Sequence, residues 1–256
     1  GEQIAKFVDN RQLTLAQGDY YLETGWPTGG PGTYSFELYE VPGPQVFEYL
    51  LDSVVSNGVP AAGAGNIEQS GSVDRYTFSI PAGGKALQFN RLGSQRNMAI
   101  KNSGTGAQVA TFVDNAQMTL PEGDYYLETG WPTGGPGTYS FNLYEVPAQQ
   151  VFAYTLDTVV SNGVPAAGAG NIERIGSSDR YWFAIPAGGK ALQFNRLGSQ
   201  RNMAIKNAAT GTQVATFVDN AQVTLPEGDY YLDTGWPTGG TGTYSFNLYE
   251  VPAQQV

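Results

Sequence analysis

The sequence predicts an all-β chain: tandem antiparallel eight-stranded β-sandwiches, jelly-roll or Greek-key-like, repeating every 105 residues. Three observations carry that prediction. The segment Phe7-Val-Asp-Asn10 recurs at Phe112 and Phe217, and Trp26, Trp131 and Trp236 sit in identical Gly-Trp-Pro-Thr-Gly-Gly contexts, so the spacing is 105 each time. Within each period, short apolar runs alternate with period two, the signature of half-buried strands. Glycine- and proline-rich turns separate these runs, and no 11-residue window reads as an amphipathic helix.

The period sets the domains. A repeat of 105 exceeds the roughly 20–50 residues of a solenoid unit and matches a whole domain. Residues 47–151 and 152–256 form two complete units that differ at 14 of 105 positions. Residues 1–46 correspond to the last 46 positions of a unit, a partial β-sandwich. Half a sandwich exposes its apolar face and strand edges. Two completions are open: the rest of a longer tandem polypeptide, or strands from another chain.

The strands of 47–151 follow in order. Phe47, Tyr49 and Leu51 alternate, then Tyr76, Phe78 and Ile80, then Leu87 with Phe89 and Met98 with Ile100. Val109 to Val113, Met118 with Leu120, Tyr125 to Thr129, and Tyr139 to Leu143 complete eight runs. Turns fall at Ser56-Asn-Gly58, Pro81 to Gly84, Gly104-Thr-Gly106, Pro121-Glu-Gly123 and Pro132 to Gly135. The stretch Leu120-Pro-Glu-Gly-Asp-Tyr125 has the pattern of a tyrosine corner, in which a Tyr hydroxyl ties back to upstream backbone. A plain turn followed by a strand aromatic is the other reading. The pattern repeats at 15–20 and 225–230.

Composition narrows the chemistry. The chain has 256 residues, no Cys and no His. Disulfides, thiolate nucleophiles, Cys-based zinc sites, Ser-His-Asp triads and imidazole bases are therefore excluded. The net charge of −10 argues against nucleic acid and anionic membrane as partners, and no apolar run approaches a membrane span. That charge divides as −4, −4 and −2 over the three segments, so it marks no single site.

A resemblance can be named on particular residues. Gly71-Ser-Val-Asp74-Arg-Tyr76-Thr-Phe78, Gln88-Phe-Asn, Lys101-Asn-Ser-Gly-Thr-Gly106, Leu120-Pro-Glu-Gly-Asp-Tyr-Tyr-Leu127 and Gly137-Thr-Tyr-Ser-Phe141 resemble the bacterial pre-peptidase C-terminal domain family. The resemblance spans the whole unit. It implies a secreted β-sandwich module, often tandem, with an accessory or binding role.

Four sets of residues are candidates for chemistry. Asn66, Glu68 and Asp74, repeated as Asn171, Glu173 and Asp179, offer oxygens for calcium beside a Gly-Ala-Gly loop. Some modules similar to this family bind calcium around the matching segment. Against calcium stands the small number of carboxylates, and Asp74 or Asp179 can instead cap a turn or pair with Arg75 or Arg180. Trp26, Trp131 and Trp236 sit in Pro/Gly turns at a sandwich end, as stacking faces for sugars or partner proteins, or as packing against the next unit. Trp182 replaces Thr77 at an outward strand position, where a domain or subunit contact is expected. Arg91 and Arg96, repeated as Arg196 and Arg201, flank a loop suited to gripping an acidic patch on a neighbour, or to local surface pairing. Glu122, Asp124 and Glu128 lie close, but Glu128 becomes Asp233 in the next unit, which disfavours a glycosidase pair.

The expected function is non-enzymatic: an extracellular, secreted or cell-surface tandem-repeat protein forming a stalk, fibre or filament. Its expected partners are neighbouring repeats and other copies of the chain. The alternative is a multivalent carbohydrate- or protein-binding adhesin using the repeated Trp loop.

Overall fold

The computed structural model describes residues 2–25, 30–130, 135–235 and 240–251, and it is all-β. The eight strands expected per unit are present, joined by three two-residue strands. In the first unit they are β1 (Gln45–Glu48), β2 (Val54–Val55), β3 (Asn66–Ile67), β4 (Val73–Ile80), β5 (Lys85–Arg91), β6 (Met98–Asn102), β7 (Gln108–Phe112), β8 (Ala116–Leu120), β9 (Gly123–Gly130), β10 (Gly137–Thr138) and β11 (Phe141–Glu145). The second unit repeats them as β12 (Gln150–Ala153), β13 (Val159–Val160), β14 (Asn171–Ile172), β15 (Ser178–Ile185), β16 (Lys190–Arg196), β17 (Met203–Asn207), β18 (Gln213–Phe217), β19 (Ala221–Leu225), β20 (Gly228–Gly235), β21 (Gly242–Thr243) and β22 (Phe246–Glu250).

A five-stranded sheet, β1-β4-β9-β6-β7, faces a four-stranded sheet, β2-β11-β5-β8. The pairing is antiparallel with one exception: β1 runs parallel to β4, with Phe47 opposite Tyr76. Alternation then places the core. On β4 the inward positions are Asp74, Tyr76, Phe78 and Ile80. They meet Leu87 and Phe89 of β5 and Phe141 and Leu143 of β11. Aromatic rings interlock across the sandwich, with Tyr76 edge-on to Phe141 at 5.3 Å and Phe89 against Phe141 at 5.5 Å. The second unit builds an equivalent core from Phe152 to Leu248.

The leading segment behaves differently. Residues 2–44 carry no strand where described. Phe36 and Leu38 are 63% and 80% exposed, while their counterparts Phe141 and Leu143 are fully buried. The physical reason is pairing. In a complete unit these strands hydrogen-bond to β4 and β5, whereas among the described residues no strand pairs with 2–44. One local feature survives: Tyr20 donates to the Ala16 carbonyl at 2.9 Å. The same tyrosine corner forms at Tyr125 with Pro121 (3.1 Å) and at Tyr230 with Pro226 (3.2 Å).

Candidate functional site

The acidic candidates resolve into a buried network. Asp74 lies on the core face of β4 and is fully buried. Its Oδ2 accepts a very short hydrogen bond from the Tyr139 hydroxyl. Tyr76, whose proton is free because Tyr139's is given to Asp74, donates to the Tyr139 hydroxyl at 2.6 Å, and Tyr76 accepts from the Gly65 amide at 2.9 Å. A wire thus runs from a loop amide through two phenols to a carboxylate. Asp179, Tyr244, Tyr181 and Gly170 repeat it. Burial pushes both carboxyls up to about 6, even though tyrosine hydroxyls hydrogen-bond to them. Glu68 adds its negative charge to the same rise at Asp74, as Glu173 does at Asp179. The phenols are pushed up as well, Tyr139 and Tyr244 furthest, because burial and neighbouring charge both disfavour phenolate.

Neither turn capping nor an arginine partner holds Asp74. Arg75 pairs with Glu128 at 2.8 Å and Arg180 with Asp233 at 2.7 Å, both on the outer sheet face. Calcium fits these donors poorly. Asp74 Oδ1 is buried without a hydrogen-bond partner, which is one available oxygen. Its other oxygen is held by Tyr139, and Glu68 accepts from Gln45. Among the described residues no three acidic side chains converge, whereas calcium takes six to eight oxygens.

Trp26, Trp131 and Trp236 lie outside the described residues. Trp182 is outward on β15, as alternation requires, and 37% exposed. It packs on Tyr231 of the neighbouring strand at 5.1 Å, and the Arg180 guanidinium covers the Tyr231 ring at 3.7 Å. Beside it opens a groove of about 600 Å³ lined by Trp182, Ala184, Asn207, Ala208, Ala209 and Asp229. The first unit's counterpart has about 360 Å³ and is lined by Glu48, Thr77, Ser79, Ser103 and Asp124. Four of the 14 inter-unit differences therefore line the larger groove, and Glu48, lining the smaller one, becomes Ala153. Ser79 donates to Asp124 at 2.6 Å, and Ala184 removes that donor from Asp229.

Among the described residues the basic loops bond within their own units. Arg91 pairs with Asp114 at 2.7 Å, and Arg196 with Asp219 at 2.8 Å. Arg96 is 6% exposed and donates to the carbonyls of Gly135 and Gly137, while Arg201 does the same to Gly240 and Gly242. A guanidinium offers five donors in a fixed fork, which suits bracing two carbonyls of one loop. Of the carboxylates weighed for catalysis, Glu128 is claimed by both Arg75 and Lys101, and these cations hold its carboxyl below the ordinary range.

The contact between units uses residues the sequence reading passed over. Tyr144 at the end of β11 donates to the Ile175 carbonyl at 3.0 Å. Arg174 covers the Tyr144 ring at 5.0 Å and bonds both oxygens of Asp52, at 2.8 and 3.0 Å. Val146 lies over Gly176, where a Cβ would stand 3.4 Å from both valine methyl carbons and φ is +92°. The leading segment makes the same contact on the first unit: Tyr39 donates to the Ser70 carbonyl at 3.1 Å, and Val41 covers Gly71. A signal was present, because Gln69→Arg174 and Ser70→Ile175 are adjacent differences between units.

No protein-family model matches the chain, and no curated protein matches it. Solved structures similar to it include the pre-peptidase C-terminal domain of collagenase from Bacillus anthracis, at 16% identity, with 40% of this chain and 97% of that chain covered and a TM-score of 0.33. The CUB1-EGF-CUB2 domain of human MASP-1/3 is similar at 8% identity, covering 78% of this chain and 99% of that one, with a TM-score of 0.26. Tandem CBM51 modules of a family 98 glycoside hydrolase from Streptococcus pneumoniae show 9% identity, 77% and 88% coverage and a TM-score of 0.22.

Proposed function

We propose that this chain is a non-enzymatic, extracellular tandem-repeat structural protein, in which β-sandwich beads at 47–151 and 152–256 build a stalk, fibre or filament. The observation that carries this reading is the junction used twice in one chain, Tyr39 and Val41 on the Ser70-Gly71 turn and Tyr144 and Val146 on the Ile175-Gly176 turn. A contact that repeats head-to-tail propagates into an open filament unless its rotation closes a ring. The four residues between β11 and β12 hold the beads close, and Gln149 in that linker donates to Asp233 at 3.3 Å. The phenol-capped carboxylates are buried in the cores, where a substrate has no access.

A second reading is favoured by the groove beside Trp182. Several inter-unit differences together turn a polar groove into an apolar, aromatic one that keeps Asp229 and Asn207. An exposed ring beside a carboxylate and an amide suits stacking and hydrogen bonding of a sugar. Electron microscopy of native material and a glycan array separate the readings. The structural reading expects a regular thin fibre or beaded rod and a silent array. Dispersed globular particles, with array binding that disappears in Trp182→Ala, overturn it in favour of the second.

A further inference from the structure

Six of the 14 differences between the units gather on one outer face of the second bead. Three of them build an aromatic platform. Trp182 stands where the first unit has Thr77, and beside it on β12 Ala153 replaces Glu48. Asp233 replaces Glu128, and with its shorter side chain it holds Arg180 by both Nε and Nη2, at 2.7 and 2.9 Å. That guanidinium lies 3.7 Å from the centre of the Tyr231 ring, against 4.8 Å for Arg75 over Tyr126. Arg180 and Trp182 both pack on Tyr231, which braces the exposed indole.

The other three differences shape the polar side of the groove. Ala184 lies two residues beyond Trp182 on the same face, opposite Asp229. In the first unit Ser79 donates to Asp124 at 2.6 Å, and Ala184 leaves Asp229 without that donor. Asn207 spends its Oδ1 on the Ala209 and Thr210 amides, at 3.1 and 3.0 Å, so its side-chain N–H groups are what it has left to offer. Ala208 and Ala209 replace Ser103 and Gly104 in that turn, which removes a hydroxyl and stiffens the backbone. The Ala208 amide bonds the Asp229 carbonyl at 2.9 Å and fixes the turn to β20. An acceptor and a donor, each without a side-chain partner among the described residues, therefore border the same groove as the indole.

We infer that this groove binds one uncharged hexopyranose, and that of the two units only the second carries the site. The inference rests on the sugar-binding reading above and names its ligand class and the residues that set it. The C–H face of the sugar ring stacks on Trp182, over ground that Ala153 clears of a carboxylate. Two neighbouring hydroxyls meet the polar pair: one donates to Asp229, and the other accepts from the Asn207 amide. An anionic sugar is disfavoured by the charge of Asp229. The first unit lacks the ring, and its Asp124 is already occupied by Ser79.

A ¹⁵N-resolved NMR titration of the full chain, following the Trp182 indole N–H, tests this. Methyl glucoside, methyl galactoside and methyl mannoside are the uncharged probes, and glucuronate is the anionic one. At least one uncharged probe is expected to saturate at millimolar concentration, with glucuronate weaker by ~10-fold or more. Trp182→Thr restores the residue that the first unit folds with, and is expected to abolish binding. Ala184→Ser is expected to weaken binding ~5-fold, because the returned hydroxyl reclaims Asp229. Glu48→Ala, Thr77→Trp, Ser79→Ala, Ser103→Ala, Gly104→Ala and Glu128→Asp together are expected to give the first unit a site of its own and to double the stoichiometry. The inference is overturned if Ala184→Ser binds as tightly as the wild type, if glucuronate matches the uncharged probes, or if the six changes add no site. In each of those cases the sugar-binding reading survives with a different ligand chemistry. If no probe shifts the Trp182 signal and a glycan array is silent, that reading fails together with the inference.

Discussion

At the scale of single residues, Asp74 and Asp179 make opposite demands on the fold. Each is a carboxylate in a core that disfavours charge, kept there by phenol donors, with one oxygen unpartnered. A carboxyl raised from 3.8 to about 6 binds its proton more tightly in the folded chain than in the unfolded one. Its contribution to stability is therefore complete below the unfolded pKa and is lost as pH rises through the folded one. Glu128 works in the opposite direction and loses its contribution only below about pH 4.5, so the interval between roughly 4.5 and 6 isolates the buried pair. Unfolding free energy from urea titration is expected to be about 1 kcal/mol per unit higher at pH 5 than at pH 7. Asp74→Asn combined with Asp179→Asn is expected to flatten that difference. A wild-type protein no more stable at pH 5 than at pH 7 would refute the assignment. The position of Asp74 was legible in principle. Tyr76, Phe78 and Ile80 alternate inward, and the same parity carried back two residues puts Asp74 in the core. Reading acidic residues as surface ligands concealed it. Its phenol partner Tyr139 lies 65 residues away, a pairing that only the closed sandwich reveals.

At the scale of elements, what was legible was what depends on local order. All eight alternating runs became strands, and the tyrosine corner formed at each of its three occurrences. The parallel β1·β4 pair was not legible, since alternation fixes which face a residue takes but says nothing of a strand's direction. The corner also shows what a local motif contributes alone. Tyr125→Phe removes a hydroxyl that closes the turn between β8 and β9 and is expected to lower the first unit's stability by about 1 kcal/mol. Tyr20→Phe removes the same bond from a segment with no strand, and the melting curve is expected not to move. Equal losses in both variants would mean that the leading segment contributes to a cooperative core.

At the scale of the molecule, the junction was the part least visible from the sequence. Its partners lie in different units: Arg174 and Asp52 are 122 positions apart. The arginines that drew attention, Arg96 and Arg201, brace loops inside their own units because their five donors match nearby carbonyls. The Arg174–Asp52 pair is about half exposed at both ends, so its contribution to stability is small, on the order of 1 kcal/mol or less. Its effect is on orientation. Arg174→Ala is expected to leave the melting temperature nearly unchanged while the two units begin to tumble independently in backbone ¹⁵N relaxation. Unchanged joint tumbling would place the coupling in the linker instead.

The junction also spans the boundary between repeats, with a donor half at the end of each complete unit and an acceptor turn near its start. Any complete unit inserted or deleted brings both halves with it. Copy number can therefore vary without a new contact having to be invented, and the length of the molecule changes in equal steps of one bead. In such an array length is a countable quantity, set by how many times the unit was copied.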